Sequence, residues 1–123
     1  MTVLLVEDED GARKMIEIIL TRAGYTVLAA ASPQAGIETA DAAERLDILI
    51  TDVLLPGMNG HRMAEIVRAR HAKIKTLFIS GYAEPGIVGP GSPDASTAFL
   101  QKPFSPTGLT VKVRELLDGK ELA

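Results

Sequence analysis

Short apolar runs alternate with longer segments whose apolar residues recur at helical spacing, and this alternation organises the whole chain. Thr2–Val6 reads as a strand, and a helix follows from about Asp10 to Ala23, with Ala12, Met15, Ile16, Ile19 and Ala23 recurring along it. Gly24 suits the left-handed position just past a helix end. Tyr25–Ala29 predicts a second strand, and Ser32-Pro33 opens the next helix with a capping hydroxyl and a proline at the first helical position. Leu46–Thr51 is nearly all apolar, as expected of a central strand covered on both faces. Pro56-Gly57 marks the loop after it, a third helix runs through Met63, Ile66 and Val67, and Ile74–Ile79 predicts a fourth strand. A fifth apolar run, Ala98–Gln101, precedes a second Ser-Pro start at Ser105-Pro106. The last helix carries Leu109, Val113, Leu116 and Leu117 on one face and stops near Gly119.

Alternating strands and helices predict βα units around a parallel sheet. One segment breaks the rhythm: residues 84–93 hold three prolines and three glycines in ten positions, too many for a regular helix. Any helix there is short or irregular, at best one turn near Ile87. The expectation is one domain over residues 1–123, with its core at about 2–118. Its fold is α/β, flavodoxin-like and doubly wound, (βα)5 with a five-stranded parallel sheet in the order 2-1-3-4-5.

The bulk numbers narrow the class. At 123 residues the chain is one ordinary domain, large enough to bury a core between a sheet and its helices. A net charge of −3 leaves no electrostatic footprint for nucleic acid. A modest basic cluster, Arg68, Arg70, His71, Lys73 and Lys75, reads as the exposed end of a helix. Without cysteine there is neither a disulfide framework nor a thiolate metal site. The first residues lack the basic and long apolar regions of a signal peptide, and no apolar run approaches the ~20 residues of a membrane helix. A cytoplasmic protein is expected.

Polar residues stand immediately after four of the five strand runs. Glu7 and Asp8 follow the first, Asp52 the third, Ser80 the fourth and Lys102 the fifth. In an open parallel sheet all of them emerge at the carboxyl edge, in the crevice where ligands bind. Three carboxylates ~4–5 Å apart repel one another by a few kcal/mol per pair, so the site calls for a counter-cation or a proton. Oxygen donors without His or Cys favour a hard ion such as Mg2+. A carboxylate flanked by a metal and a lysine is a plausible phosphoryl acceptor. Lys102 can pair with Asp52 and then with an added phosphoryl oxygen, to which the Ser80 hydroxyl can also donate.

These residues carry a resemblance. Leu4-Leu5-Val6-Glu7-Asp8-Glu9, Thr51-Asp52-Val53-Leu54-Leu55-Pro56-Gly57-Met58-Asn59-Gly60, Ser80-Gly81 and Lys102-Pro103-Phe104 lie at successive strand ends. Over essentially its whole length the chain resembles the receiver (response-regulator) domains of two-component signalling, and is similar to receivers of, or beside, hybrid histidine kinases. The resemblance implies Asp52 as the phosphorylated residue and Asp8 as the main Mg2+-binding acid, with Glu7 acting directly or through water. It also implies the backbone carbonyl of Leu54 as a metal ligand. Ser80 and Lys102 would read the phosphoryl group, Phe99 would be a switch residue coupled to Ser80, and the peptide before Pro103 would be cis. Partners would be a histidine kinase or a histidine phosphotransfer protein, with neither nucleic acid nor membrane bound directly, and the state a monomer or weak dimer. Leu55 stands where the family usually has methionine, a volume-conserving change. The segment 84–93 departs from the family where a fourth helix commonly forms the output face, so the standard output is discounted.

Other residues draw plainer readings. Glu9 and Asp10 are charges favouring the start of the first helix. His61 and His71 are read as solvated, and Met15, Met58 and Met63 as core or loop packing. Gly57 and Gly60 serve backbone geometry near Asp52. Ser80 could instead cap a turn. Two other functions compete with the phosphoacceptor. One is a pseudo-receiver or adaptor that docks a partner without phosphorylation. The other is a small aspartyl-nucleophile hydrolase, disfavoured because Leu54 stands where a second aspartate would do acid–base work. The domain is therefore expected not to be an enzyme beyond its own phosphorylation and dephosphorylation.

Overall fold

The computed structural model describes residues 1–80 and 97–118. Five strands, β1 (Thr2–Val6), β2 (Thr26–Ala30), β3 (Ile48–Asp52), β4 (Lys75–Ser80) and β5 (Thr97–Gln101), form one sheet. Its order is β2-β1-β3-β4-β5 and every pairing is parallel. The helices are α1 (Asp10–Arg22), α2 (Pro33–Ala42), α3 (Gly60–Arg70) and α4 (Pro106–Asp118). The expected short or irregular helix near Ile87 lies outside the described residues.

Side chains alternate across each strand, so the sheet feeds two cores. Val3, Leu5, Ile48, Ile50, Leu77 and Ile79 pack with Ile16 and Leu20 of α1 and Leu109, Val113 and Leu116 of α4. On the other face Leu4, Val6, Leu49 and Phe78 pack with Ala40 of α2 and Met63, Ala64 and Val67 of α3. Both faces of the central strands are therefore dry, which is why β1 and β3 read as nearly continuous apolar runs. α2 can lie close to β1 because position 36 is glycine: a Cβ there would stand 2.6 Å from a Val6 methyl.

Helix ends follow local chemistry. The Glu9 carboxylate accepts from the amides of Gly11 and Ala12, the Ser32 hydroxyl from that of Ala35, and the Asn59 side chain from that of Arg62. Past α1, Gly24 sits at φ 102°. The Gly24 amide donates to Thr21 and that of Tyr25 to Leu20, the paired bonds of a Schellman stop.

Several expectations need correction. β2 runs from Thr26 to Ala30, one residue later than its apolar run suggests, because the Schellman turn uses Tyr25. Met15 is 49% exposed, since the buried stripe of α1 passes through Ile16 and Leu20. His71 is not simply solvated: its Nε2 lies 2.8 Å from the carbonyl oxygen of Ala40, tying α3 to α2. His61 lies against the Phe78 ring, with centroids 4.3 Å apart. Arg68 is half-buried rather than part of an exposed helix end, and its Nη2 donates to the buried hydroxyl of Thr76 at 3.1 Å.

Candidate metal and phosphoryl site at the carboxyl edge

The register places the ends of β1, β3, β4 and β5 side by side. Val6 pairs with Thr51, Asp52 with Ile79, and Ser80 with Gln101. Beyond those ends, Glu7, Asp8 and Asp52 each offer a carboxylate oxygen, and these oxygens lie within 4.8 Å of one another. Glu7 is 2% exposed, Asp8 is exposed and Asp52 lies between. The cluster is thus anchored in the protein at one end and open to solvent at the other.

Lys102 arrives from the far strand. Its Nζ is 2.9 Å from Asp52 Oδ2 and 3.6 Å from Glu7 Oε1. The backbone aims it, because the Lys102 amide donates to the Ser80 carbonyl at 2.8 Å, extending the β4–β5 ladder by one bond. The peptide from Lys102 to Pro103 is cis.

Close backbone packing holds Asp52. The Val53 amide donates to Ile79 at 3.1 Å, and the Gly60 amide donates to the Val53 carbonyl at 2.7 Å. A Cβ on Gly60 would lie 2.2 Å from the Asp52 carbonyl oxygen, so only glycine lets α3 begin there. The intervening loop turns at Pro56-Gly57, where Gly57 takes φ 85°, as a turn with proline followed by glycine requires. Leu54, two residues past Asp52, lies in this loop and is 53% exposed.

The β1–α1 loop is braced from both sides. The Glu9 amide donates to Glu7 Oε2 at 3.0 Å. Arg13 reaches back from α1, its Nη1 donating to the Glu7 carbonyl at 2.9 Å and its Nη2 pairing with Asp10. The sequence reading assigned Arg13 nothing. Its only local sign is an arginine three residues after Asp10, a spacing common to helix ion pairs.

The electrostatics follow from this geometry. Burial pushes the Glu7 carboxyl above its ordinary range, against the pull of the Glu9 amide and Lys102. Burial alone would lower the Lys102 ammonium, but its hydrogen bond to Asp52 and the charges of Glu7 and Asp52 outweigh it, and the group is raised. With all groups ionised, three carboxylates face one ammonium. A pair of like charges 4.8 Å apart costs about 3–4 kcal/mol at an effective dielectric near 20. One lysine therefore leaves the cluster short of positive charge. The donors are oxygen only, a set suited to a hard divalent ion that keeps several waters.

Two further predicted residues lie on β4 and β5. Ser80 closes β4 next to Lys102. Phe99, on β5, pairs in register with Phe78, and their rings stack with centroids 5.4 Å apart and planes 21° apart.

A doubly wound parallel sheet whose strand ends gather three acids and one lysine defines an α/β domain with a cation-seeking site at its carboxyl edge. The chain belongs to the response regulator receiver domain family, whose model matches residues 3–114. It is 41% identical to the sensor kinase CckA of Brucella abortus over 98% of this chain, and spans 13% of that relative's length. Among solved structures it is similar to the receiver domain of the hybrid histidine kinase CckA, at 31% identity and a TM-score of 0.81, covering 95% of this chain and 99% of that one. A receiver protein from Sinorhizobium medicae is similar at 30% identity and a TM-score of 0.85, covering 98% of this chain and 97% of that one. Among the described residues no helix is long and apolar enough to cross a membrane.

Proposed function

We propose that this receiver domain accepts a phosphoryl group on Asp52. The observation that supports it most is the placement of Asp52 between Lys102 at 2.9 Å and two further carboxylates whose oxygens lie within 4.8 Å. An Asp52 oxygen attacks phosphorus in line with the bond to the donor nitrogen. As the new P–O bond forms the P–N bond breaks, and its electron pair returns to the imidazole of a phosphohistidine on a histidine kinase or phosphotransfer protein. Mg2+ held by Asp8, Asp52, the Leu54 carbonyl and, directly or through water, Glu7 would offset the charge of the transferring group.

The protein's own groups do the rest. Lys102 leaves its ion pair with Asp52 to meet a phosphoryl oxygen, and the Ser80 hydroxyl donates to another. Ser80 moves toward the phosphate, Phe99 follows, and a protein-binding surface shifts population or the phosphate is relayed onward. Buried Glu7 and the Arg13 brace hold the β1–α1 loop in place while this happens. The domain works as a signalling switch in the cytoplasm beside its kinase, turning over no substrate besides its own phosphate, as a monomer or weak dimer without nucleic acid. Adaptor binding without phosphorylation is the competing role.

The test is intact mass after incubation with Mg2+ and a small-molecule phosphodonor, beside Asp52→Ala. The expected result is one added phosphoryl group, absent in the variant and absent when Mg2+ is chelated. An unchanged mass with both the small donor and a phosphorylated histidine donor would sink the acceptor reading and favour the adaptor.

A further inference from the structure

Three rings stand in a row on the α2/α3 face of the sheet. The imidazole of His61 lies on Phe78 at 4.3 Å, with the planes 33° apart. Phe78 in turn stacks on Phe99 at 5.4 Å. The middle ring is buried in the core of that face, while Phe99 is only partly buried against it. His61 is the second residue of α3, directly after Gly60, whose backbone is pressed against the Asp52 carbonyl and bonded to Val53. The row therefore begins beside the aspartate and ends at the ring expected to switch.

We propose that His61 is a positioning residue for Phe99, acting through Phe78. The 5.4 Å between Phe78 and Phe99 lies within the roughly 4.5–7 Å over which aromatic pairs attract beyond simple burial, and His61 is in still closer contact with Phe78, at 4.3 Å. Phe78 cannot move freely in a packed core, so a ring pressing on it constrains where a second ring in contact with it rests. This gives the start of α3 a path to Phe99 that does not pass through Ser80. The inference rests on the proposed function for what moves Phe99; the row of rings itself belongs to the fold.

The experiment uses the whole chain labelled with 4-fluorophenylalanine. With three phenylalanines, Phe78, Phe99 and Phe104, three fluorine resonances are assigned by single Phe→Leu variants. Phe104 packs against the core on the opposite face and serves as the internal control. In His61→Ala, and in His61→Gln, which keeps a polar chain without a ring, the Phe78 and Phe99 lines are expected to shift while Phe104 stays. His61→Tyr, which restores a ring without adding a fourth fluorine label, should bring them back. A loss of one ring pair corresponds to about a two- to tenfold change in the population of the stacked Phe99. A Phe99 line unmoved in both ring-less variants overturns the proposal, as does a shift that takes Phe104 with it, since that reports general loosening. Adding beryllofluoride with Mg2+ to the unsubstituted protein separates the two readings. If it moves none of the three lines, the acceptor reading fails, while the His61 variants still decide the role of the stack.

Discussion

The two edges of the sheet use charge in opposite ways. At the amino edge, Asp47 sits just before β3 and its carboxylate is engaged on both oxygens: Oδ2 accepts from the Thr2 amide at 2.8 Å and Oδ1 from Arg45 at 3.3 Å. Among the described residues, Lys73 and Lys75 also line the surrounding cleft. At the carboxyl edge three carboxylates cluster, and Lys102 pairs with two of them, Asp52 and Glu7. One edge spends its acid on joining strands. The other keeps an excess of negative charge that an added cation or a proton would relieve, and the difference separates a carboxylate tied into the sheet from carboxylates gathered at an open crevice.

Metal addition should divide the edges most sharply. With Mg2+ at about 100 times its Kd, stability to denaturant should rise by about 2.7 kcal/mol. Asp8→Ala should remove most of that increment, whereas Asp47→Ala should keep it. An equal Mg2+ response in both variants would place the ion elsewhere. Next in size is the amino edge itself. Asp47→Ala strands the Thr2 amide and should cost about 1–2 kcal/mol in urea unfolding, with or without Mg2+. A neutral result would mean that water replaces the carboxylate there.

The smallest effect concerns Glu7. Its carboxyl is raised by burial in the folded chain. Its contribution to stability is therefore fully present below the ordinary value of 4.5 and lost as the pH climbs through the folded value. Without metal, Glu7→Gln should raise Tm at pH 7 and leave it nearly unchanged well below pH 4.5. Scanning calorimetry at both pH values checks this, and a lower Tm at pH 7 would show that the contact with Lys102 outweighs burial.

Much of this was legible in the chain. The strands and the four helices of the described residues carry their own periodicity, caps and stops, because each buries a face set by local spacing. The carboxyl-edge residues were legible too, because a parallel sheet sends every strand end the same way. His61 and His71 were not. Each touches a group from another element, Phe78 and the Ala40 carbonyl, and nothing in the adjacent sequence marks such a partner. Arg13 was missed for a related reason: a helix arginine near an acid looks like an ordinary surface pair until the Glu7 carbonyl is seen within reach.

By itself, then, the amino-acid sequence determined the βα alternation, the dry central strands and the acids and lysine that end at one edge. These are periodic or local properties, expressed wherever a chain buries one face of each element. The tertiary structure alone decided that Lys102 lies nearer Asp52 than Glu7, 50 positions apart though they are. It also decided how closely the start of α3 presses on the Asp52 carbonyl, and that three rings meet in succession from α3 to β5. Such contacts arise only once helices and strands are packed to van der Waals distance, where a few tenths of an ångström decide which atoms meet.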